Sequence, residues 1–367
     1  MRDFSCAVCG NTTYFDNRNC INCGARLGFV TDTHTLEALV PGEDETWRLA
    51  GDEGRRFRYC GNATLDVCNW LVDADDNATY CRACRHNRTV PSVSLPQTLA
   101  HWRAIGAAQR HLFYSFLKWR LPSPTREEDP AGGLVFDFLE DRHLADGSIE
   151  KPMTGHDEGL ITIRAAEADD AERETLRAQM HEPYRTMLGH FRHETGHFIW
   201  NQMVRDGGLI EACRAVFGDD SQDYGEALQR HYRDGPPTDW QSRFISEYAS
   251  SHPWEDFAET FAHCLHIVDT LEMARSHQIR LSACGGPAEE IASDPYAESD
   301  FETLANLWVP LSITMNSLHH SMGERPLYPF ILTPAVRAKM AFVHRVITRQ
   351  IRNGVQDGAL DLSVAAE

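Results

Sequence analysis

His193-Glu194-Thr195-Gly196-His197 reads H-E-x-x-H. On an α-helix, side chains four residues apart project from one face, so the two imidazoles can grip one metal ion. Glu194 directly follows the first imidazole, where a carboxylate can take a proton from a water on that ion. The flanks predict a helix. Pro183 suits its first turn, Gly207-Gly208 suits its end, and Tyr184, Leu188, Phe191 and Phe198 recur at helical spacing. The histidines fall beside this apolar stripe, so both are expected half-buried, and such a pair is costly without a partner.

A catalytic zinc usually takes three protein ligands and keeps one position open for water. The third ligand must come from elsewhere in the chain. A metzincin would carry Gly and His at positions 200 and 203; Trp200 and Met203 stand there instead. A later segment, Tyr248 to His263, supplies carboxylates. Pro253 and the acids after it mark a helix start, and Phe257, Phe261, Cys264 and Val268 form its buried stripe. Glu255 and Glu259 share another face, one turn apart. One of them can bind the metal while the other holds a ligand histidine from behind.

The cysteines follow metal-ligand spacing. Cys6-x2-Cys9 and Cys20-x2-Cys23 are two knuckles, each followed by a glycine, Gly10 and Gly24, that lets backbone N–H groups turn toward sulfur. They predict a four-cysteine zinc ribbon. Cys60, Cys68, Cys81 and Cys84 form a second, looser set, read as a second structural zinc site. Cys213, Cys264 and Cys284 are scattered and read as buried or idle thiols.

The formal net charge of −19 argues against bulk nucleic-acid binding and against anionic membranes. Six arginines of the N-terminal region (Arg55, Arg56, Arg58, Arg82, Arg85, Arg88) could meet phosphate, but acids are interspersed among them. No apolar run approaches the roughly 20 residues of a membrane span, and Met1 to Gly10 has no apolar leader core. A cytoplasmic location is the expectation.

Residues 1–95 are Cys-, Asn- and Asp-rich, and we expect metal rather than a core to stabilise them. Residues 90–96 read as a linker, 97–120 as a long buried helix, 121–133 as a loop, and 134–139 and 160–164 as strands. Beyond the H-E-x-x-H helix the chain reads as mainly helical, with a loop over 285–299 and helices over 300–322 and 334–352. A frayed tail follows from 353.

The spacing of HETGH, Tyr248, Glu255 and Glu259 resembles the gluzincin peptidases of the lethal-factor type. That resemblance implies His193, His197 and Glu255 as zinc ligands, Glu194 as general base, Tyr248 as oxyanion donor, and Glu259 as the glutamate behind a ligand histidine. It also implies a strand before the H-E-x-x-H helix as cleft edge, for which 160–166 is the candidate. More broadly, the chain resembles bacterial zinc-binding metallopeptidases with an N-terminal zinc-ribbon region. That likeness runs from the first Cys pair through Cys68-Asn69-Trp70-Leu71-Val72 to residues 327–334. The expected fold is α+β: a four-cysteine zinc-ribbon region (1–95) before a mainly helical zincin-like domain with a small sheet (96–352). The expected cofactors are one catalytic and two structural zinc ions. The expected partners are a peptide or protein substrate and a protein docked on the ribbons. The competing reading is a silent zincin scaffold serving as a zinc-ribbon adaptor.

Overall fold

The computed structural model describes residues 2–52, 54–179, 186–281 and 289–353. A short hairpin, β1 (Phe4–Ser5) and β2 (Thr12–Thr13), holds the first Cys pair in its loop. Five strands then form an antiparallel meander in chain order: β3 (Arg26–Val30), β4 (Thr35–Pro41), β5 (Trp47–Leu49), β6 (Arg56–Tyr59) and β7 (Leu71–Asp73). Along β4, Leu36 and Ala38 are buried while Thr35 and Glu37 are only half-buried, the period-two pattern of a sheet with one face covered.

This sheet corrects the expectation of a metal-only region. Leu27, Phe29, Leu36, Ala38 and Trp70 join a hydrophobic core that continues into the helical part. Val30, Leu39, Phe57 and Leu71 make a second, small cluster.

The chain passes through β8 (Asn87–Thr89) into α1 (Pro96–Trp119) and β9 (Val135–Leu139). A hairpin of β10 (Arg142–His143) and β11 (Ile149–Glu150) precedes β12 (Gly155–Asp157) and β13 (Leu160–Arg164). The four-stranded sheet runs β12-β13-β9-β8, with β13 and β8 both parallel to β9. Strand 160–164 is therefore interior, not the cleft edge expected of it. The edge is β12, which folds back on β13 through the two-residue turn Glu158-Gly159. Both turn residues have positive φ, 39° and 84°, as the tightest hairpins require.

The helices follow: α2 (Asp170–Gln179), α3 (Met187–Ile199), α4 (Ile210–Phe217), α5 (Tyr224–Asp234), α6 (Trp240–Arg243) and α7 (Pro253–Ser276). The strand pair β14 (Arg280–Leu281) and β15 (Glu289–Glu290) precedes α8 (Phe301–Ser321) and α9 (Pro334–Asn353). Thus the loop expected over 285–299 contributes a strand at 289–290. The H-E-x-x-H helix α3 opens at Met187, and a π-helical turn over Trp200–Arg205 continues it toward Gly208. Pro183, Tyr184, Cys284, residues 285–288 and the tail from 354 lie outside the described residues. Cys213 and Cys264 are buried.

The first and second regions are packed together on α1. Phe15 meets Tyr114 edge to face at 5.5 Å, and Asp16 pairs with Arg110 and His111, each at 2.7 Å. The Tyr114 hydroxyl and the neighbouring Ser115 in turn bond Glu272 and Asp269 of α7.

Helices α3 and α7 lie backbone against backbone at Gly196. A Cβ at Gly196 would stand 2.9 Å from Ala258 Cα and 3.1 Å from its carbonyl oxygen. Both obstacles are backbone, so neither can swing aside. Gly196→Ala should therefore force the two helices apart and cost about 1–3 kcal/mol, the range for overpacking a core. Thermal unfolding checks this, and an unchanged melting temperature would refute the close-approach argument.

Candidate metal centre

Both helices of the centre start from caps that set their register. Thr186 Oγ1 accepts the Gly189 N–H at 2.9 Å and opens α3. His252 Nδ1 accepts the Trp254 N–H at 3.1 Å, and Pro253 occupies the first turn of α7. With those registers, the H-E-x-x-H histidines face the first turns of α7.

His193 Nε2 lies 3.0 Å from Glu255 Oε2, and His197 Nε2 lies 3.3 Å from the same oxygen. These three side chains form one cluster whose ligand atoms are all within 4.8 Å of one another. Glu259 Oε1 accepts a hydrogen bond from His193 Nδ1–H at 2.7 Å, which turns Nε2 toward the cluster. Ser246 Oγ donates to the other Glu259 oxygen at 2.6 Å. The Tyr224 hydroxyl donates to Glu255 Oε1 at 2.6 Å. The Tyr248 ring lies 5.9 Å from the His193 ring.

The donor set fits a divalent cation. Glu255 Oε2 is buried and makes no hydrogen bond of good geometry, although two ring nitrogens face it. Ligands about 2 Å from a tetrahedral ion stand roughly 3.3 Å apart, close to both distances found here. Electrostatics points the same way. Burial works against a charge on His193, but Glu255 and Glu259 outweigh it and raise its pKa well above the ordinary value. Burial likewise opposes the Glu255 charge, and the two histidines overcome it to hold that carboxyl well below its usual range. The carboxylates thus favour positive charge beside them at His193, while burial keeps the His197 pKa below its ordinary value. Glu194 is only 9% exposed, and burial pushes its pKa up to about 7. A carboxylate in that range exchanges protons readily near neutral pH.

Beneath the centre lies a charged support. Arg192, 2% exposed, bonds His266 and Asp269 on α7. Asp269 also receives Ser115 Oγ of α1 at 2.9 Å and the Tyr296 hydroxyl.

The cysteines form two further clusters, Cys6, Cys9, Cys20 and Cys23, and Cys60, Cys68, Cys81 and Cys84. The sulfurs of Cys6 and Cys23 are 3.8 Å apart, those of Cys9 and Cys20 3.6 Å, and those of Cys68 and Cys81 3.7 Å. Tetrahedral zinc with bonds of about 2.3 Å sets sulfurs roughly 3.8 Å apart, whereas a disulfide needs about 2 Å. Gly10 and Gly24 have φ of 72° and 75°, closing the two knuckles. Backbone N–H groups reach sulfur in the second set: Trp70 to Cys68 at 3.4 Å and Cys81 to Cys60 at 3.5 Å.

Tyr224, Ser246, Arg192 and His156 escaped the sequence reading. Tyr224 lies 31 residues before Glu255, on a different helix, and no spacing rule connects the two. His156 lies on the edge strand, its ring 6.1 Å from that of His197. Among the described residues no helix is long and apolar enough to cross a membrane.

Residues 3–95 match the zinc-ribbon domain. The chain is 40% identical over 350 residues to proteins described as uncharacterised from Mycobacterium tuberculosis (strain H37Rv) and Mycobacterium bovis, covering 95% of both chains in each case. No solved structure is a significant match. Residues 98–346 match the family described as "Putative zinc-binding metallo-peptidase", which spans the whole metal centre, and the chain belongs to that family.

Proposed function

We propose that the chain hydrolyses peptide bonds as a gluzincin-type metallopeptidase. The observation that carries this reading is the convergence of His193, His197 and Glu255 on one point, with Glu194 beside them. In this reading those three residues hold a zinc ion, which when bound supplies Lewis-acid activation of water and of the scissile carbonyl.

The chain's own residues do the rest. Glu194 takes the proton of the attacking water and returns it to the leaving amine. Burial, then Glu255, raise the Tyr248 pKa, so its hydroxyl keeps its proton and can donate to the oxyanion of the tetrahedral intermediate. Glu259 and Ser246 fix the His193 ring. Tyr224 occupies Glu255 Oε1 and leaves Oε2 for the ion. The free edge of β12 offers backbone groups to an extended substrate.

The two cysteine sets are closed sites that hold structural zinc. Cys9 and Cys23 are exposed, and their knuckles are the surface offered to a partner protein.

Elemental mass spectrometry should find three zinc ions per wild-type chain and two in His193→Ala/His197→Ala. Glu194→Gln should keep all three while losing peptide hydrolysis. Two ions in both the wild type and the double variant would remove the catalytic site from this reading and leave an adaptor.

Tyr248→Phe should lower kcat by about 10²-fold, as loss of an oxyanion donor does, with zinc content unchanged. An unaltered kcat would return Tyr248 to packing.

Tyr224→Phe should weaken zinc binding at the centre by about 10-fold, read by competition with a chelator, while the cysteine sites keep their metal. Equal retention in both proteins would refute the positioning role.

A further inference from the structure

On the His197 side of the metal centre lies a cavity of about 320 Å³, within the size range of ligand pockets. Two indoles wall it. Trp254 lies against His197, ring centroids 3.7 Å apart, and Trp200 meets Trp254 at 76° with centroids 6.5 Å apart. These faces form a corner that an extended side chain can lie along.

The rim is acidic. Asp157, Glu158 and Asp220 line it, against one guanidinium, Arg205. That guanidinium is already held by Glu158 at 2.8 Å and by Asp206 at 2.9 Å. Asp220 is engaged by Arg214 at 2.7 Å. Asp157 is exposed and has no ion pair among the described residues.

The imidazoles of the lining add no charge of their own. His156 Nε2 accepts the Gly159 N–H at 2.9 Å. His252 accepts the Trp254 N–H at Nδ1 and turns Nε2 to the Gln222 carbonyl at 3.2 Å. Each ring thus uses one nitrogen as an acceptor, the pattern of neutral imidazole.

We infer that this cavity takes a cationic side chain of the substrate, arginine or lysine, with its stem along Trp200 and Trp254 and its charge at Asp157. The inference rests on the peptide-hydrolysis reading and narrows it to peptides carrying a basic residue near the scissile bond. Asp157 lies on β12, the strand offered to the substrate backbone, so one extended peptide can engage both. Indole faces attract a cation beyond their apolar contact, and a neutral side chain forgoes that gain together with the ion pair. The acidic surface as a whole, at −19, draws basic peptides toward the cleft.

The test is binding to zinc-loaded Glu194→Gln protein by calorimetry. The probes are capped six-residue alanine peptides carrying one arginine, or its neutral isostere citrulline, at each position in turn. At one position arginine should bind about 10-fold tighter than citrulline, the sum of a cation–π contact and a partly exposed ion pair. Adding Asp157→Asn should cut the preference to about 2–5-fold, the share of the indole faces. Equal binding at every position, no binding of either series, or a preference untouched by Asp157→Asn overturns the inference. Turnover of the same arginine peptides by wild type is measured separately. An arginine preference in binding without any turnover sinks the hydrolysis reading and leaves the cavity assignment standing.

Discussion

Everything at the centre depends on how closely α3 can lie on α7. The candidate ligand atoms come from both helices, and a donor set spaced near 3 Å tolerates little error between them. Gly196 removes the one side chain that would hold the backbones apart, and it stands directly before His197. Below the centre, Arg192 reaches across to His266 and Asp269, fixing rotation and register of the same pair. A buried ion pair of this kind adds little net stability, because desolvation offsets most of its attraction. Breaking it by removing one partner would nonetheless strand a charge. Its contribution is therefore to specify one arrangement of α3 on α7.

The parts of the site that were legible in sequence were those encoded locally. His193, Glu194 and His197 stand within five residues, and helical periodicity alone sets their faces. The same holds for Glu255 and Glu259, one turn apart behind Pro253. What could not be read depended on contacts distant in sequence. The resemblance points to 160–166 as the cleft edge, but that segment holds the interior strand β13; its partner β12 is three residues of Gly-His-Asp, with no β signal of its own. Only the Glu158-Gly159 turn places it, and that turn lacks the usual Asn or Asp. Tyr224 sits on a polar helix and acts on Glu255 purely through tertiary placement.

The N-terminal region was misread for a related reason. Its strands are short and alternate with charged residues, and composition suggested a metal-stabilised coil. In the fold, Phe29 and Trp70 meet at a tilt with centroids 5.0 Å apart, both against Phe15, and Phe15 and Phe29 reach Tyr114 of α1. The cysteine clusters clamp the loops around this aromatic group. Metal and core are thus partners here, each fixing what the other leaves loose.

One stretch of α1, from Arg110 to Ser115, holds both parts of the chain: Arg110 bonds Asp16 and the Val67 carbonyl and Tyr114 carries Phe15, while Tyr114 and Ser115 bond α7. The chain accordingly has no seam at residue 95, although its sequence changes character there. A displacement of either part is therefore felt by the other through one helix: modularity in the sequence is not modularity in the mechanics.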